Sequence, residues 1–407
     1  MKLKYLRHPV RTLGAAKAMV GARMSMRSFA AYGRRKFKGD ARYNLQSVAE
    51  GFAAHLEEPG DDSELLDRIC TAYIKAIERE RTVPEAYRAT EWWEQVRGSR
   101  LARVRHALLT RDTGALQAMY RNFYRDSCSA GLLGVPYGMT KAYFGGNMKN
   151  VHREFYLSHV LCRLDYWMDQ TGNKFSIGDL SGPQVGNPFG VQLGETLVRV
   201  GAEYAHYCSH RVGSLLEGSD TVVAEIGGGF GNMAFYLLRD HPSGTYINLD
   251  VPESVALSSY YLMKAFPSLD FLLYGEHELT KDAIAAADVV LMPVFELDLL
   301  PAESVDVVFS SHAMSDLSAG AMDVYLENIS RVTRSSFLYI GNKRASESIS
   351  ETVGQKDGGF ALTDSRFSGW HSHKISGAGV GGAAGLAAAV MFEQRYTRTS
   401  VQLTAGV

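Results

Sequence analysis

Val222-Val223-Ala224-Glu225-Ile226 runs directly into Gly227-Gly228-Gly229-Phe230-Gly231, and Asn232-Met233-Ala234-Phe235-Tyr236-Leu237-Leu238 follows. The first five residues, four of them apolar, read as a short buried strand. The apolar positions after Gly231 fall at helical spacing, which places the glycines in a strand-to-helix turn. Glycine there lets the backbone turn sharply and lets a ligand approach the peptide groups closely. The start of the following helix adds N–H groups that have no intrahelical acceptor.

Downstream, the pattern alternates. Residues 245–250 read as a strand, and Pro252 sits just inside a helix, where its missing N–H costs nothing. That helix ends before Pro267. Residues 271–274 read as a short extra strand, and 289–292, 305–310 and 337–340 as further strands. Ser318 is the expected N-cap of a helix with Met322, Tyr325, Ile329 and Val332 on one face. Residues 391–399 read as a last strand. The glycine- and alanine-rich stretch 376–390 fits either a mobile loop or a tightly packed helix. Such alternation implies a parallel sheet with helices on both faces.

Upstream, residues 41–215 read as mainly helical. Leu65, Leu66, Ile69, Tyr73, Ala76 and Ile77 recur at helical spacing over 63–80, with Ser63 as the expected N-cap and Pro84 as a break. Helical patterns also cover 99–110, 115–127 and 150–170, with loops at 131–138 and 182–190. The expected organisation is a basic segment over 1–40, a mainly helical auxiliary and acceptor-binding domain over 41–215, and a ligand-binding α/β domain over 216–407.

Composition sets the outer limits. Of 407 residues 46% are hydrophobic and 21% charged, which excludes collagen-like, wholly disordered and disulfide-scaffold classes. No run of about 18 apolar residues predicts a membrane span, and no secretory signal is expected. Cys70, Cys128, Cys162 and Cys208 are far apart and read as reduced thiols of a cytoplasmic protein. Charge is unevenly placed: residues 1–39 hold eleven Lys/Arg and no Asp/Glu, although the whole chain has a net charge of −1. That segment reads either as a solvated tail or as peripheral contact with an anionic membrane. Nucleic acid is not an expected partner, and a homo-oligomer is allowed.

Three details of the glycine turn favour S-adenosylmethionine over a dinucleotide. Glu225 ends the strand two residues before the first glycine; a carboxylate there suits a cationic sulfonium and repels a pyrophosphate. The glycines run G-x-G-x-G from Gly227, and Asn232 stands where the dinucleotide pattern needs glycine or alanine. A shifted match from Gly229 to Ala234 begins too late after the strand. Asp250, 19 residues after Gly231, ends the next strand and is placed to accept ribose hydroxyls; it confirms a nucleoside without choosing between the two. The candidate cofactor-binding residues are Glu225, Gly227, Gly228, Gly229, Gly231, Asp250, Val251, Ser310 and Ser311.

With those residues in view, the chain resembles the sugar O-methyltransferase family of class I S-adenosylmethionine-dependent methyltransferases. The resemblance rests on residues 223–231, on Leu249-Asp250-Val251-Pro252, and on the segment from Val308 through His312 to Asp316-Leu317. Gly186-Asn187-Pro188-Phe189-Gly190 is similar to that family's lead-in. Met314 and Asp316-Leu317 depart from the family's pattern. The resemblance implies a Rossmann-like domain with a mostly parallel seven-stranded sheet. It also implies transfer of a methyl group to a hydroxyl of a sugar or glycan, lipid-linked ones included, with S-adenosylhomocysteine as product.

A neutral hydroxyl is a poor nucleophile, so a general base is expected near the carboxyl ends of the strands. His312 is the first candidate, and Asp316 the second, as base or as the residue that orients His312. His371-Ser372-His373 is another: on a strand the two imidazoles would point the same way and supply a base or hold a divalent metal. No metal site is assigned. Tyr137, Tyr143, Phe367 and Trp370 are candidates to stack on a sugar ring. The same cofactor site would also serve an O- or N-methyltransferase of a polyketide or peptide. An NAD-dependent oxidoreductase or epimerase, or a binding protein with a vestigial cofactor fold, are alternatives of other classes.

Overall fold

A computed structural model of the chain describes residues 9–56, 60–133, 144, 148–355, 359–372 and 390–399. The amino-terminal part is helical: α1 (Pro9–Lys36), α2 (Leu45–Gly51), α3 (Ser63–Glu80), α4 (Glu91–Ser99), α5 (Ala102–Thr110), α6 (Thr113–Tyr120) and α7 (Asn150–Gln170). A two-stranded antiparallel hairpin, β1 (Gly190–Leu193) and β2 (Thr196–Arg199), leads into α8 (Ala202–Gly213). The alternating part is β3 (Thr221–Ile226), α9 (Asn232–Asp240), β4 (Gly244–Asp250), α10 (Pro252–Ala265), β5 (Phe271–Leu273), α11 (Lys281–Ala285), β6 (Val289–Pro293) and β7 (Val305–Ser311). It closes with α12 (Ala319–Val332), β8 (Thr333–Asn342), α13 (Lys343–Gln355), β9 (Phe360–Ser368) and β10 (Met391–Arg398).

The main sheet has eight strands in the order β5-β6-β4-β3-β7-β8-β10-β9, one more than the expected seven. The six strands from β5 to β8 are parallel, and β10 runs antiparallel between β8 and β9. β5, expected as a short extra strand, is three residues long at one edge, and β9, which the sequence did not predict, forms the other. Helices cover both faces, so β3 and β6 are buried along their whole length and, apart from Thr221 and Glu225 in β3, read as apolar runs. This is a Rossmann-like doubly wound fold. The chain leaves β3 toward β4 and β6 on one side and returns through β7 on the other. The crevice at that reversal, beyond the carboxyl ends of β3 and β7, is where such sheets bind ligands.

Side-chain alternation assigns the faces. Val223 and Tyr246 belong to one core with the amino-terminal helices, α8, α9 and α10, whereas Val222, Ala224 and Ile226 pack with α12 and α13 on the other side. Glu225, Asp250 and Ser311 therefore all face the helical layer.

That layer is built onto the sheet. Its core is continuous from Phe37 to Trp370. α3 packs on α10, and α8, on the helical side of the expected boundary at 215, packs against α9. The buried carboxylate of Glu253 in α10 accepts from Arg97 Nε at 3.0 Å and from the Tyr73 hydroxyl at 3.1 Å, and pairs with Arg105. Asp62, not Ser63, holds the N-cap position of α3, and its carboxylate serves Arg121, Lys264 and Tyr260. The basic segment is helical from Pro9, and its carboxyl-terminal half is docked on α7 rather than free: Phe29 packs edge-on against Phe155, and Gly33 sits against Ser158. Among the described residues no helix is long and apolar enough to cross a membrane. The four cysteines are buried and unpaired.

Candidate functional site

The turn after β3 takes its shape from three positive φ values, Gly227 at 80°, Gly229 at 57° and Gly231 at 91°. A side chain at Gly227 would put its Cβ 2.0 Å from Ala313 Cβ, so the loop after β3 lies directly against the loop after β7. A Cβ at Gly228 would meet Asn248 Oδ1 at 2.6 Å and the Tyr246 hydroxyl at 2.8 Å. A Cβ at Gly229 would meet nothing nearer than Leu132 Cδ2 at 3.9 Å, so the space beside its Cα is open. Phe230 is buried against Phe123 and Tyr124, whose neighbour Phe189 belongs to the Gly186–Gly190 stretch. The lead-in segment thus braces the glycine turn from one layer away.

Two carboxylates flank the turn. Glu225 is 4% exposed and accepts a hydrogen bond from the Tyr246 hydroxyl at 2.5 Å. It has no ion-pair partner among the described residues, so it is not a structural acid neutralised by arginine. Asp250 is partly open: its Oδ2 accepts from the Gly229 N–H at 2.7 Å and its Oδ1 from the Val251 N–H at 2.6 Å. Each oxygen keeps a lone pair for a further donor. Burial raises the Glu225 carboxyl to about 7, with Asp250 adding to the rise and the Tyr246 hydroxyl opposing it. Burial likewise raises Asp250 to about 7 against its two backbone donors. Two acids that resist ionisation side by side make a site that gains from a bound cation.

Beyond β7 a second cluster forms. Ser310 is buried and donates to the Ile226 carbonyl at 3.0 Å, which ties β7 to β3 and commits its hydroxyl proton. The Ser311 hydroxyl is 2.7 Å from the Tyr204 hydroxyl, which lies 3.4 Å from His312 Nε2. His312 has φ +65°, an uncommon conformation for a residue with a side chain, of the kind that gathers at functional sites. Its ring stands edge-on to that of His371, centroids 4.5 Å apart. Burial lowers His312 to about 4 and His371 to about 3, with Arg163 reinforcing both, so both imidazoles are neutral at pH 7. Arg163 on α7 pairs with Glu203 and donates to the Trp370 carbonyl at 3.3 Å, which pins the turn carrying His371.

Other expectations fall differently. Asp316 ends the short 3₁₀ turn Ala313–Asp316, is exposed, and makes no hydrogen bond to His312; Tyr204 and His371 are the neighbours of that ring. His371 lies in a 3₁₀ turn, Gly369–His371, because β9 ends at Ser368, so the strand-alternation argument for His371-Ser372-His373 does not apply. His373, Tyr137, Tyr143 and nearly all of 376–390 lie outside the described residues. Trp370 is 1% exposed, packed among Tyr166, Tyr204, Tyr207 and Arg163, and presents no face to a sugar. Phe367 is exposed on β9. No group of three or more His, Cys, Asp or Glu among the described residues could hold a metal ion. The sequence reading missed Tyr204, Arg163 and Tyr246. All three sit in ordinary helical or strand patterns: the packing of α7 and α8 over the sheet brings Arg163 and Tyr204 to the site, and the pairing of β4 with β3 brings Tyr246.

The chain matches no protein-family model and no curated protein sequence. Among solved structures it is similar to magnesium protoporphyrin IX methyltransferase from Synechocystis PCC 6803, with 12% identity, 48% of this chain and 77% of that one covered, and a TM-score of 0.32. It is also similar to geranyl diphosphate C-methyltransferase from Streptomyces coelicolor A3(2), at 10% identity, 50% and 78% coverage and TM-score 0.35. A third is a cyclopropane synthase from Mycobacterium tuberculosis, at 11% identity, 50% and 86% coverage and TM-score 0.34. These likenesses are low, and the fold follows from the strand order itself.

Proposed function

We propose that this chain is an S-adenosylmethionine-dependent O-methyltransferase that methylates a hydroxyl of a sugar or glycan and releases S-adenosylhomocysteine. The observation that carries the cofactor is the pair Glu225 and Asp250: two carboxylates, neither ion-paired among the described residues, flanking a glycine turn with open space beside the Gly229 Cα. Such a pair repels a pyrophosphate and attracts a sulfonium nucleoside. Bound S-adenosylmethionine supplies a methyl group on positively charged sulfur. Asp250 has lone pairs to accept ribose hydroxyls while its backbone bonds hold it still. Glu225 adds negative charge beneath the turn.

His312 is the proposed base. Burial keeps it neutral above about pH 4, so a ring nitrogen is free to take the acceptor's proton. Tyr204 fixes the ring, and Ser311 fixes Tyr204. Holding the hydroxyl in line with the methyl group supplies much of the remaining rate. His371 and Asp316 are secondary candidates, as a second imidazole beside the base and as an exposed acid at the mouth. Val251 serves by anchoring Asp250. The acceptor class rests on the sequence resemblance over residues 180–345. A cytoplasmic enzyme acting on a glycan fits that resemblance, and contact of the basic segment with a membrane would bring it to a lipid-linked one.

The test is methyl transfer from labelled S-adenosylmethionine to a panel of nucleotide sugars, lipid-linked glycans, phenolic polyketides and peptides. Label on a sugar hydroxyl, lost in His312→Ala, supports the proposal. Label confined to a phenol or a peptide nitrogen overturns the acceptor class.

A further inference from the structure

The basic amino-terminal helix plays no part in the site described above, yet its charge is the most unusual feature of the sequence. From Pro9 to Lys36 it holds seven Lys/Arg and no acid. Outside residues 1–39 the chain carries a net charge of −12, against −1 for the whole. All of the basic excess therefore lies in the first 39 residues of an otherwise acidic sequence.

The structure divides the described part of α1 into two faces. Phe29, Ala30 and Gly33, with Phe37 just beyond the helix, turn inward against α7 and Tyr43. Arg23, Arg27, Arg34 and Arg35 are all exposed outside that face, as is Met24 at 68% exposure, with Arg34 on the side next to α7. Arg34 reaches Glu154 at 3.1 Å; Arg23, Arg27 and Arg35 have no such partner among the described residues. Docking on α7 thus consumes the apolar face and leaves Arg23, Arg27 and Arg35 to solvent. A cationic surface with one thioether chain among its charges matches an anionic lipid surface, where arginines meet headgroups and the apolar chain enters the acyl boundary. A phosphate backbone has no use for that methionine, and the acidic body disfavours wrapping around a polyanion.

We infer that the exposed face of α1 is a docking surface for an anionic lipid bilayer, bound mainly through charge. The inference is independent of the catalytic reading, because none of these residues touches the glycine turn or His312.

Co-sedimentation with vesicles tests it. The full chain should bind vesicles of phosphatidylcholine with about a third phosphatidylglycerol roughly tenfold or more better than phosphatidylcholine alone, and lose that preference at about 0.5 M salt. The variant Arg23→Glu/Arg27→Glu/Arg35→Glu should lose the preference. A charge-matched control, Arg81→Glu/Arg100→Glu/Arg344→Glu, reverses three exposed arginines elsewhere and should keep it. Equal thermal transitions of the two variants exclude unfolding as the cause; if the α1 variant unfolds, Arg23→Gln/Arg27→Gln, which should weaken binding, replaces it. Absence of binding by the unaltered chain, equal loss in both variants, or tighter binding to duplex DNA than to the anionic vesicles at the same salt would each overturn the inference.

Discussion

Glu225 is held where an ionised carboxylate is costly, and that cost has a sign that can be measured. Its carboxyl lies at about 7 in the folded chain, above the ordinary glutamate value. A raised acid favours the folded state at low pH and loses that contribution as pH rises to 7. Glu225→Gln removes the ionisation while its amide oxygen still accepts from Tyr246. Without ligand this variant should be more stable than the parent by on the order of 2 kcal/mol at pH 8, with the gain shrinking toward pH 5. Thermal unfolding at the two pH values checks this, and an unchanged or lowered stability at pH 8 would contradict it. The same variant should bind S-adenosylmethionine more weakly, as expected where stability is given up for function. Glu225 and Asp250 were legible in the sequence because an acid two residues before a glycine turn, and another at the end of the next strand, carry a spacing. Tyr204 and Arg163 carry none: their relation to His312 exists only across packed helices.

At the scale of elements, two turns meet at the point where the sheet reverses direction. Gly227 cannot accept a side chain for two reasons, its φ of 80° and Ala313 Cβ within 2.0 Å of the position a Cβ would take. Gly227→Ala should cost about 1–3 kcal/mol and weaken cofactor binding at least tenfold. Adding Ala313→Gly removes the clash but not the strained φ, so the double variant should recover part of the loss. A double-mutant cycle on unfolding free energy measures the coupling, and strictly additive effects would show that the turns do not touch. The sequence announced β3, β4, β6, β7 and β8 through apolar runs between turn signals. It concealed β9, whose FALTDSRFS has exposed polar positions because the strand lies at the sheet edge. It concealed β1 and β2 as well, four residues each in a glycine-bounded stretch. His371 was misread for a related reason: β9 ends at Ser368, and Gly369-Trp370-His371 turns away as a 3₁₀ turn.

Across the whole molecule, the helical layer and the sheet share one core and are tied by buried charges. Breaking one tie should therefore destabilise both. Arg97 is buried and bonds Glu80, Glu94 and Glu253. Arg97→Ala leaves Glu253 with a smaller share of positive charge, at a cost of about 3–5 kcal/mol. Three of the four tryptophans, Trp92, Trp93 and Trp167, lie in the helical layer and the fourth, Trp370, packs against it, so fluorescence weights that layer while far-UV circular dichroism reports on all elements. The two transitions should coincide in the parent chain and move down together in the variant. Separate transitions would mean that the layers fold independently, as the sequence boundary at 215 suggested. The shared core is invisible to local patterns because the contact between α3 and α10 spans nearly 200 residues of chain. The central claim, that the acid-flanked turn takes a cationic nucleoside, is tested most directly by calorimetric titration with S-adenosylmethionine and with NAD. S-adenosylmethionine should bind, more tightly at pH 8 than at pH 6 because both carboxyls then ionise, and Glu225→Gln/Asp250→Asn should abolish the signal. Binding of NAD in its place, or S-adenosylmethionine affinity indifferent to both carboxylates, would contradict the account.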